Sequence, residues 1–106
     1  MDFRGVYTAI VTPFKADGSV DEKALCRLIE AQLAAGVSGI VPCGTTGESP
    51  TLSHEEHDRV IELAISCVGK KAQIIAGTGS NSTAEAVRLS VHAMKAGADA
   101  LLLVNP

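Results

Sequence analysis

Four short apolar runs alternate with three longer amphipathic segments along the chain. The runs cover residues 6–11, 39–43, 72–76 and 100–104, and each is almost continuously apolar. Runs of this kind are typical of strands that are covered on both faces, as in a parallel sheet. The pattern therefore predicts four buried strands.

The segments between the runs have apolar side chains at helical spacing on one face and charged side chains on the other. They predict three helices that pack on the sheet. The apolar stripes are Leu25, Leu28, Ile29 and Leu33 in the first helix, Val60, Ile61, Ala64 and Val68 in the second, and Val87, Val91 and Met94 in the third.

Each predicted helix has a start signal and a stop signal. The sequence S-x-x-E begins at Ser19, Ser53 and Ser82, where it predicts a capping box between the serine and the glutamate. A glycine follows each segment, and glycine readily takes the left-handed conformation that ends a helix. These signals predict a β-α-β-α-β-α-β series. The stop glycines are Gly36, Gly69 and Gly97.

Such a series forms either an open doubly wound sheet or a (β/α)₈ barrel. In both folds, functional residues gather at the carboxyl ends of the strands. Glycines and small polar residues concentrate at that end of the predicted sheet, which makes it the candidate site. The segments concerned are residues 12–14, 44–48, 77–81 and 105–106.

The composition argues against two classes of partner, nucleic acids and membranes. The net charge is −3, and the longest basic run is the pair at 70–71. Nucleic acid needs clustered positive charge and a membrane span needs about 20 apolar residues, so neither partner is predicted. Cys26, Cys43 and Cys67 show no CxxC spacing, which predicts reduced thiols in a cytoplasmic protein.

The segment Gly44-Thr45-Thr46-Gly47, here called the threonine turn, has two interpretations. It is a flexible strand-to-helix connection, or its amides and hydroxyls cradle a carboxylate or phosphate that the glycines allow to approach. No lysine follows the second glycine, which excludes a Walker A loop. In residues 77–82, Ser82 stands where a dinucleotide fingerprint needs its third glycine.

Two other motifs are weaker. His54 and His57 are three residues apart, whereas the metalloprotease helix needs histidines four apart, so no metal site is predicted. Cys43 adjoins the threonine turn but lies inside an apolar run, which favours a buried, unreactive thiol over a nucleophile. Cys26 and Cys67 fall in predicted helices and are interpreted as packing residues.

Three segments carry a family resemblance: YTAIVTPF at residues 7–14, GTTGE at 44–48 and AGTGSNSTAEA at 76–86. Together they resemble the dihydrodipicolinate synthase family of pyruvate-dependent class I aldolases, which includes N-acetylneuraminate lyase. The resemblance extends over residues 6–106 and implies an α/β fold, a partial TIM (β/α)₈ barrel. The chain would hold the first three βα units and strand 4, one incomplete domain over residues 1–106.

The resemblance implies a carbon–oxygen lyase or aldolase-type synthase that joins pyruvate to aspartate semialdehyde through a Schiff base, without a cofactor, in lysine biosynthesis through diaminopimelate. Thr46 would bind the pyruvate carboxylate through its amide and hydroxyl, with Gly44 beside it. Thr45 would bind substrate and take part in a hydroxyl proton relay. Neutral donors hold an anion without adding a competing cation.

The resemblance also implies a homo-oligomer, either a dimer or a tetramer, and inhibition by lysine at a site between subunits. The positions that match this effector site are Ser49, His54, His57, Asn81 and Glu85. From the residues alone, the two histidines are equally explained as exposed first-turn residues, and the glutamate as part of a capping box.

The family's Schiff-base lysine belongs to a later strand, so we expect the chain to be the N-terminal part of the enzyme and inactive alone. Only Lys15 falls at the functional end, in a loop that would not desolvate it. Open sheet edges predict that the isolated chain self-associates. Two alternatives stay open: a sister aldolase acting on a sugar acid, and a non-enzymatic or nucleotide-binding α/β module.

Overall fold

The computed structural model describes residues 2–105, which form a four-stranded parallel sheet, three α-helices and one short 3-10 helix, Ser49–Thr51. The strand order β1-β2-β3-β4 follows the chain, as in a barrel, whereas a doubly wound sheet reverses its order at a switch point. The predicted strand–helix series is therefore confirmed. The strands are Tyr7–Ala9 (β1), Gly39–Val41 (β2), Gln73–Gly77 (β3) and Ala100–Leu102 (β4), and the helices are Glu22–Ala34 (α1), His54–Val68 (α2) and Thr83–Ala96 (α3).

The predicted capping box is correct for α2 and wrong for α1. The Ser53 hydroxyl accepts the Glu56 amide at 3.1 Å, and the Glu56 carboxylate accepts the Ser53 amide at 2.8 Å. In α1 the cap is Asp21, whose carboxylate accepts a first-turn amide at 3.0 Å. Ser19 lies further out, where its amide donates to Asp17 and closes a separate turn.

The start of α3 has half of its predicted box. The Ser82 hydroxyl accepts the Glu85 amide at 3.3 Å. The Glu85 carboxylate, however, bonds to His54 and Ser80 instead of returning to the Ser82 amide. The predicted helix stops are confirmed, since Gly36, Gly69 and Gly97 all have positive φ.

The core lies between the sheet and the helices. Ile40 of β2 and Ile74 of β3 are neighbours in register and are buried on the helix side. Val41 and Ile75 alternate with them and are only half-buried, so residues 2–105 leave open the second face that the apolar runs predict to be covered. The helix residues of the core include Leu25, Ile29, Val60, Ile61, Ala64, Val68 and Ala93.

Exposed apolar side chains concentrate on α3 and β4. Val87 and Met94 are 57% and 63% exposed, so the apolar stripe predicted to pack α3 on the sheet is wrong, and the buried residues of α3 are Leu89 and Ala93. The exposed patch is consistent with self-association of the isolated chain. Among residues 2–105, none of the helices combines the length and apolar character of a membrane span. The other exposed apolar residues of this region are Val91, Leu101, Leu102, Leu103 and Val104.

The cysteines depart from their prediction. Cys26 of α1 and Cys67 of α2 form a disulfide, with their Cα atoms 5.8 Å apart, so the expectation of three reduced thiols is wrong. Cys43 is a free, buried thiol, as its position in an apolar run predicts. Burial raises the pKa of this thiol to about 12, which leaves little of the nucleophilic thiolate.

Candidate functional site

The threonine turn is a tight turn at the carboxyl end of β2. The Gly47 amide donates to the Gly44 carbonyl, and the Glu48 amide donates to the Thr45 carbonyl, each at 3.0 Å. Thr45 and Thr46 are exposed, and their amides donate to no backbone carbonyl among residues 2–105. The turn therefore offers neutral amide and hydroxyl donors to a ligand, as the anion-cradle interpretation requires.

The threonine turn is flanked on each side by a residue with a strained backbone. Cys43 and Glu48 both have a φ of 58°, and within residues 2–105 they are the only non-glycine residues with positive φ. This left-handed conformation costs about 1–2 kcal/mol per residue. Such strain persists only where the surroundings impose it, and it clusters at ligand sites. The shape of the turn is therefore set by its neighbours.

Two neighbouring strands confine the turn. On the β1 side, the Thr12 hydroxyl donates to the Gly47 carbonyl at 2.7 Å. On the β3 side, the Gly77 amide donates to the Pro42 carbonyl at 2.9 Å, and a Cβ on Gly77 would collide with the Cys43 carbonyl. The pattern of small polar residues places Thr12 and Gly77 at the functional end, but it does not reveal these contacts.

The two glycines of the turn have different roles. A Cβ on Gly47 would lie 3.2 Å from the Thr12 hydroxyl oxygen, whereas a Cβ on Gly44 would have no neighbour closer than 3.9 Å. Only Gly44 therefore leaves room for a ligand. It borders a cavity of about 80 Å³, well above the roughly 10–15 Å³ that one water needs. The other lining residues include Cys43, Thr45, Ser49, Gly79, Leu102 and Val104.

A wider hollow lies at the opposite ends of the strands. Its volume is about 770 Å³, and Lys70 and Lys71 are among its lining residues. This is the end where the sequence places helix stops, away from the threonine turn.

The residues matched to an effector site are only partly brought together. His54 of α2 and Glu85 of α3 form an ion pair, and Asn81 is exposed in the loop that leads to α3. Ser49 borders the cavity beside the threonine turn. His57 is only 3% exposed, so its interpretation as an exposed first-turn residue is wrong.

His57 is held as a neutral imidazole. Its Nε2 lies 2.8 Å from the Gly77 carbonyl oxygen, and Nε2 carries the proton because a carbonyl only accepts. Its Nδ1 is buried without a partner in the described part of the chain. Burial lowers the pKa of His57, and the bond to Gly77 opposes this less strongly. No group of three or more metal-ligating side chains converges within residues 2–105.

Because of His57, we expect the chain to lose stability in mild acid. The unfolded imidazole binds a proton below its ordinary pKa of about 6.5, whereas the folded one binds it only at lower pH. The unfolded state then holds more protons, so the free energy of unfolding falls as the pH drops below about 6.5. The slope is at most about 1.4 kcal/mol per pH unit for one proton. Urea unfolding at low protein concentration between pH 7.5 and 5.5 measures it.

The test variant is His57→Gln, which removes the buried imidazole and should flatten the profile in this window. Glu85 contributes to the stability in a lower pH range, since its bonds to Ser80 and His54 lower the pKa of its carboxylate. That contribution is lost only as the pH falls below the ordinary value of about 4.5. An undiminished slope in His57→Gln would assign the proton to another group.

The chain matches the model of the Dihydrodipicolinate synthetase family over residues 2–106. The 4-hydroxy-tetrahydrodipicolinate synthase of Syntrophus aciditrophicus is 64% identical over 104 residues, which is 98% of this chain. The enzyme of the same name from Bartonella bacilliformis is 58% identical over 103 residues, or 97% of this chain. The chain spans 35% of the length of both curated relatives.

Solved structures agree with these sequence matches. The 4-hydroxy-tetrahydrodipicolinate synthase of Methylacidiphilum fumariolicum has a TM-score of 0.95 at 54% identity, over 99% of this chain and 35% of that one. A dihydrodipicolinate synthase from Acinetobacter baumannii, solved in complex with pyruvate, has a TM-score of 0.93 at 52% identity, over 96% and 35%. The predicted partial TIM barrel is confirmed, and the chain belongs to the dihydrodipicolinate synthetase family.

Proposed function

We propose that the chain forms the carboxylate-binding part of a 4-hydroxy-tetrahydrodipicolinate synthase, which condenses pyruvate with aspartate semialdehyde in lysine biosynthesis. The observation that carries this proposal is the threonine turn, with the free amides of Thr45 and Thr46 at the carboxyl end of β2. Family membership suggests the substrate class, because the relatives are synthases of this name.

The two threonines have separate roles in this proposal. Thr46 binds the pyruvate carboxylate through its amide and hydroxyl, and Gly44 leaves room beside it. Thr45 adds a donor and relays a proton through its hydroxyl. Preorganised neutral donors bind an anion strongly once the site is closed to water, so the proposed reaction uses neither a metal nor a cofactor.

The Schiff-base amine comes from outside residues 1–106 in this proposal. Its nitrogen attacks the ketone carbon of pyruvate, the C=N bond forms, and the ketone oxygen leaves as water. A reactive lysine must be desolvated to lose its charge near neutral pH, yet all five lysines of this chain are exposed. The chain alone should therefore be inactive, and the lysine belongs to the part of the barrel that the relatives have in addition.

The proposal also includes inhibition by lysine and assembly into a homo-oligomer. The exposed imidazole of His54 and the half-buried carboxylate of Glu85 lie side by side, and the carboxylate offers a partner for the ammonium group of a free amino acid. Asn81, in the loop before α3, and Ser49, at the start of a short 3-10 helix beside the cavity, would supply neutral donors and acceptors. His57 would take part only through its unpaired Nδ1, because its Nε2 is bonded to Gly77.

A chimeric barrel tests the proposed function. Residues 2–105 of this chain replace the matching segment of the Methylacidiphilum fumariolicum enzyme, where the TM-score of 0.95 predicts that they fit. Borohydride should trap pyruvate on the chimera as a stable secondary amine, and the chimera should consume aspartate semialdehyde. A folded chimera without an adduct would contradict both aldolase functions. An adduct with turnover of a sugar acid instead would favour the sister aldolase.

A further inference from the structure

We propose that Thr12 is a positioning residue whose hydroxyl fixes the Gly47 carbonyl and thereby aims the donors of Thr45 and Thr46. The identity of the ligand rests on the proposed function, whereas the geometry of the turn does not. Thr12 is 4% exposed and follows β1, while the turn follows β2. The bond therefore links the carboxyl ends of two neighbouring strands.

The Thr12 bond anchors a turn that would otherwise relax. The left-handed conformations of Cys43 and Glu48 are unfavourable, so contacts must hold the turn in shape. Its internal bonds use the amides of Gly47 and Glu48 and leave the Gly47 carbonyl to Thr12. In the described part of the chain, no other side chain donates to a backbone carbonyl of residues 44–47.

Thr12 is itself held in place. The proline that follows restricts Thr12 to an extended backbone, and the Pro13 carbonyl accepts the Asp21 amide at 2.9 Å, at the start of α1. Thr12 also packs directly on Gly47, where an added Cβ would lie 3.2 Å from its hydroxyl oxygen. A shift of Thr12 therefore moves the turn, and a misplacement of about 1 Å in a positioning group can cost about 100-fold in rate.

The strand that precedes Thr12 supplies a matched control. Thr8 lies in β1, and its hydroxyl is buried without a partner among residues 2–105. Thr8→Val and Thr12→Val each remove one buried hydroxyl, but only Thr12→Val breaks a bond to the turn. Thr12→Ser keeps the donor and loses only a methyl group.

Steady-state kinetics of the chimeric barrel give the first readout. In Thr12→Val we expect the KM for pyruvate to rise about 10-fold while the KM for aspartate semialdehyde stays unchanged. Thr12→Ser and Thr8→Val should remain within about twofold of the parent. A parental KM in Thr12→Val, or the full valine defect in Thr12→Ser, would overturn the inference. If Thr12→Val does not fold, Thr12→Ala replaces it.

Hydrogen exchange separates this inference from the proposed function. The amides of Gly47 and Glu48 close the turn, so their exchange should accelerate in Thr12→Val and not in Thr8→Val. If the parental chimera traps no pyruvate but Thr12→Val still frees these amides, the proposed function is wrong and Thr12 positions the turn for another anion. Unchanged exchange in Thr12→Val rules out the positioning role for any ligand.

Discussion

Replacing Thr46 with valine in the chimeric barrel should raise the KM for pyruvate by about 10- to 100-fold. A hydroxyl bonded to a carboxylate contributes about 1.5–3 kcal/mol, and each 1.4 kcal/mol is about a factor of ten. Valine has nearly the same shape, so the turn should keep its backbone bonds and lose only the donor. Thr46→Ser should restore most of the affinity. Initial rates at varied pyruvate concentration measure the effect.

Thr45→Val should give the contrasting result, a kcat lowered by about 100-fold with a smaller change in KM. Removing a proton-transfer group costs about 10²–10⁴-fold, and the relay acts after pyruvate has bound. Thr83→Val is the control, because Thr83 is exposed in the first turn of α3, outside the threonine turn. If both turn variants kept parental kinetics, the threonine turn would not be the pyruvate site.

The strand–helix series could be predicted because strands and helices differ in their apolar spacing, although burial follows that spacing in β2, β3, α1 and α2 and not in α3 or β4. Ile40 and Ile74 are paired in neighbouring strands and buried under the helices. Helix starts were less predictable, because the same S-x-x-E sequence forms different hydrogen bonds at each of the three helices. At α1, Asp21 stands closer to the first turn than Ser19 and caps the helix in its stead. At α3, the Glu85 carboxylate is bonded to a neighbouring helix.

The site was predictable as a donor-rich turn, but its supports were not. The contact between Thr12 and Gly47 spans 35 residues, and no local pattern reports it. His57 follows the polar start of α2, yet its ring is buried and bonded to the end of β3. The pairing of Cys26 and Cys67 likewise depends on tertiary packing, because two helices bring together residues 41 positions apart.

Reduction of the Cys26–Cys67 disulfide should destabilise the fold by about 4 kcal/mol. The bond closes a loop of 41 residues, and in the chain-entropy model a loop of this length restricts the unfolded state by about that amount. An ion pair of Glu22 and Arg59 also joins these two helices, but it is exposed and contributes little. In the chimeric barrel, reductant should lower the Tm by about 10 °C.

Two controls assign this effect to the bond itself. In Cys26→Ser the Tm should start low and no longer respond to reductant, since no cross-link remains. The denatured 106-residue chain should show one reactive thiol before reduction, that of Cys43, and three afterwards. Three reactive thiols before reduction would mean that no disulfide joins α1 and α2, and the Tm would then not respond to reductant.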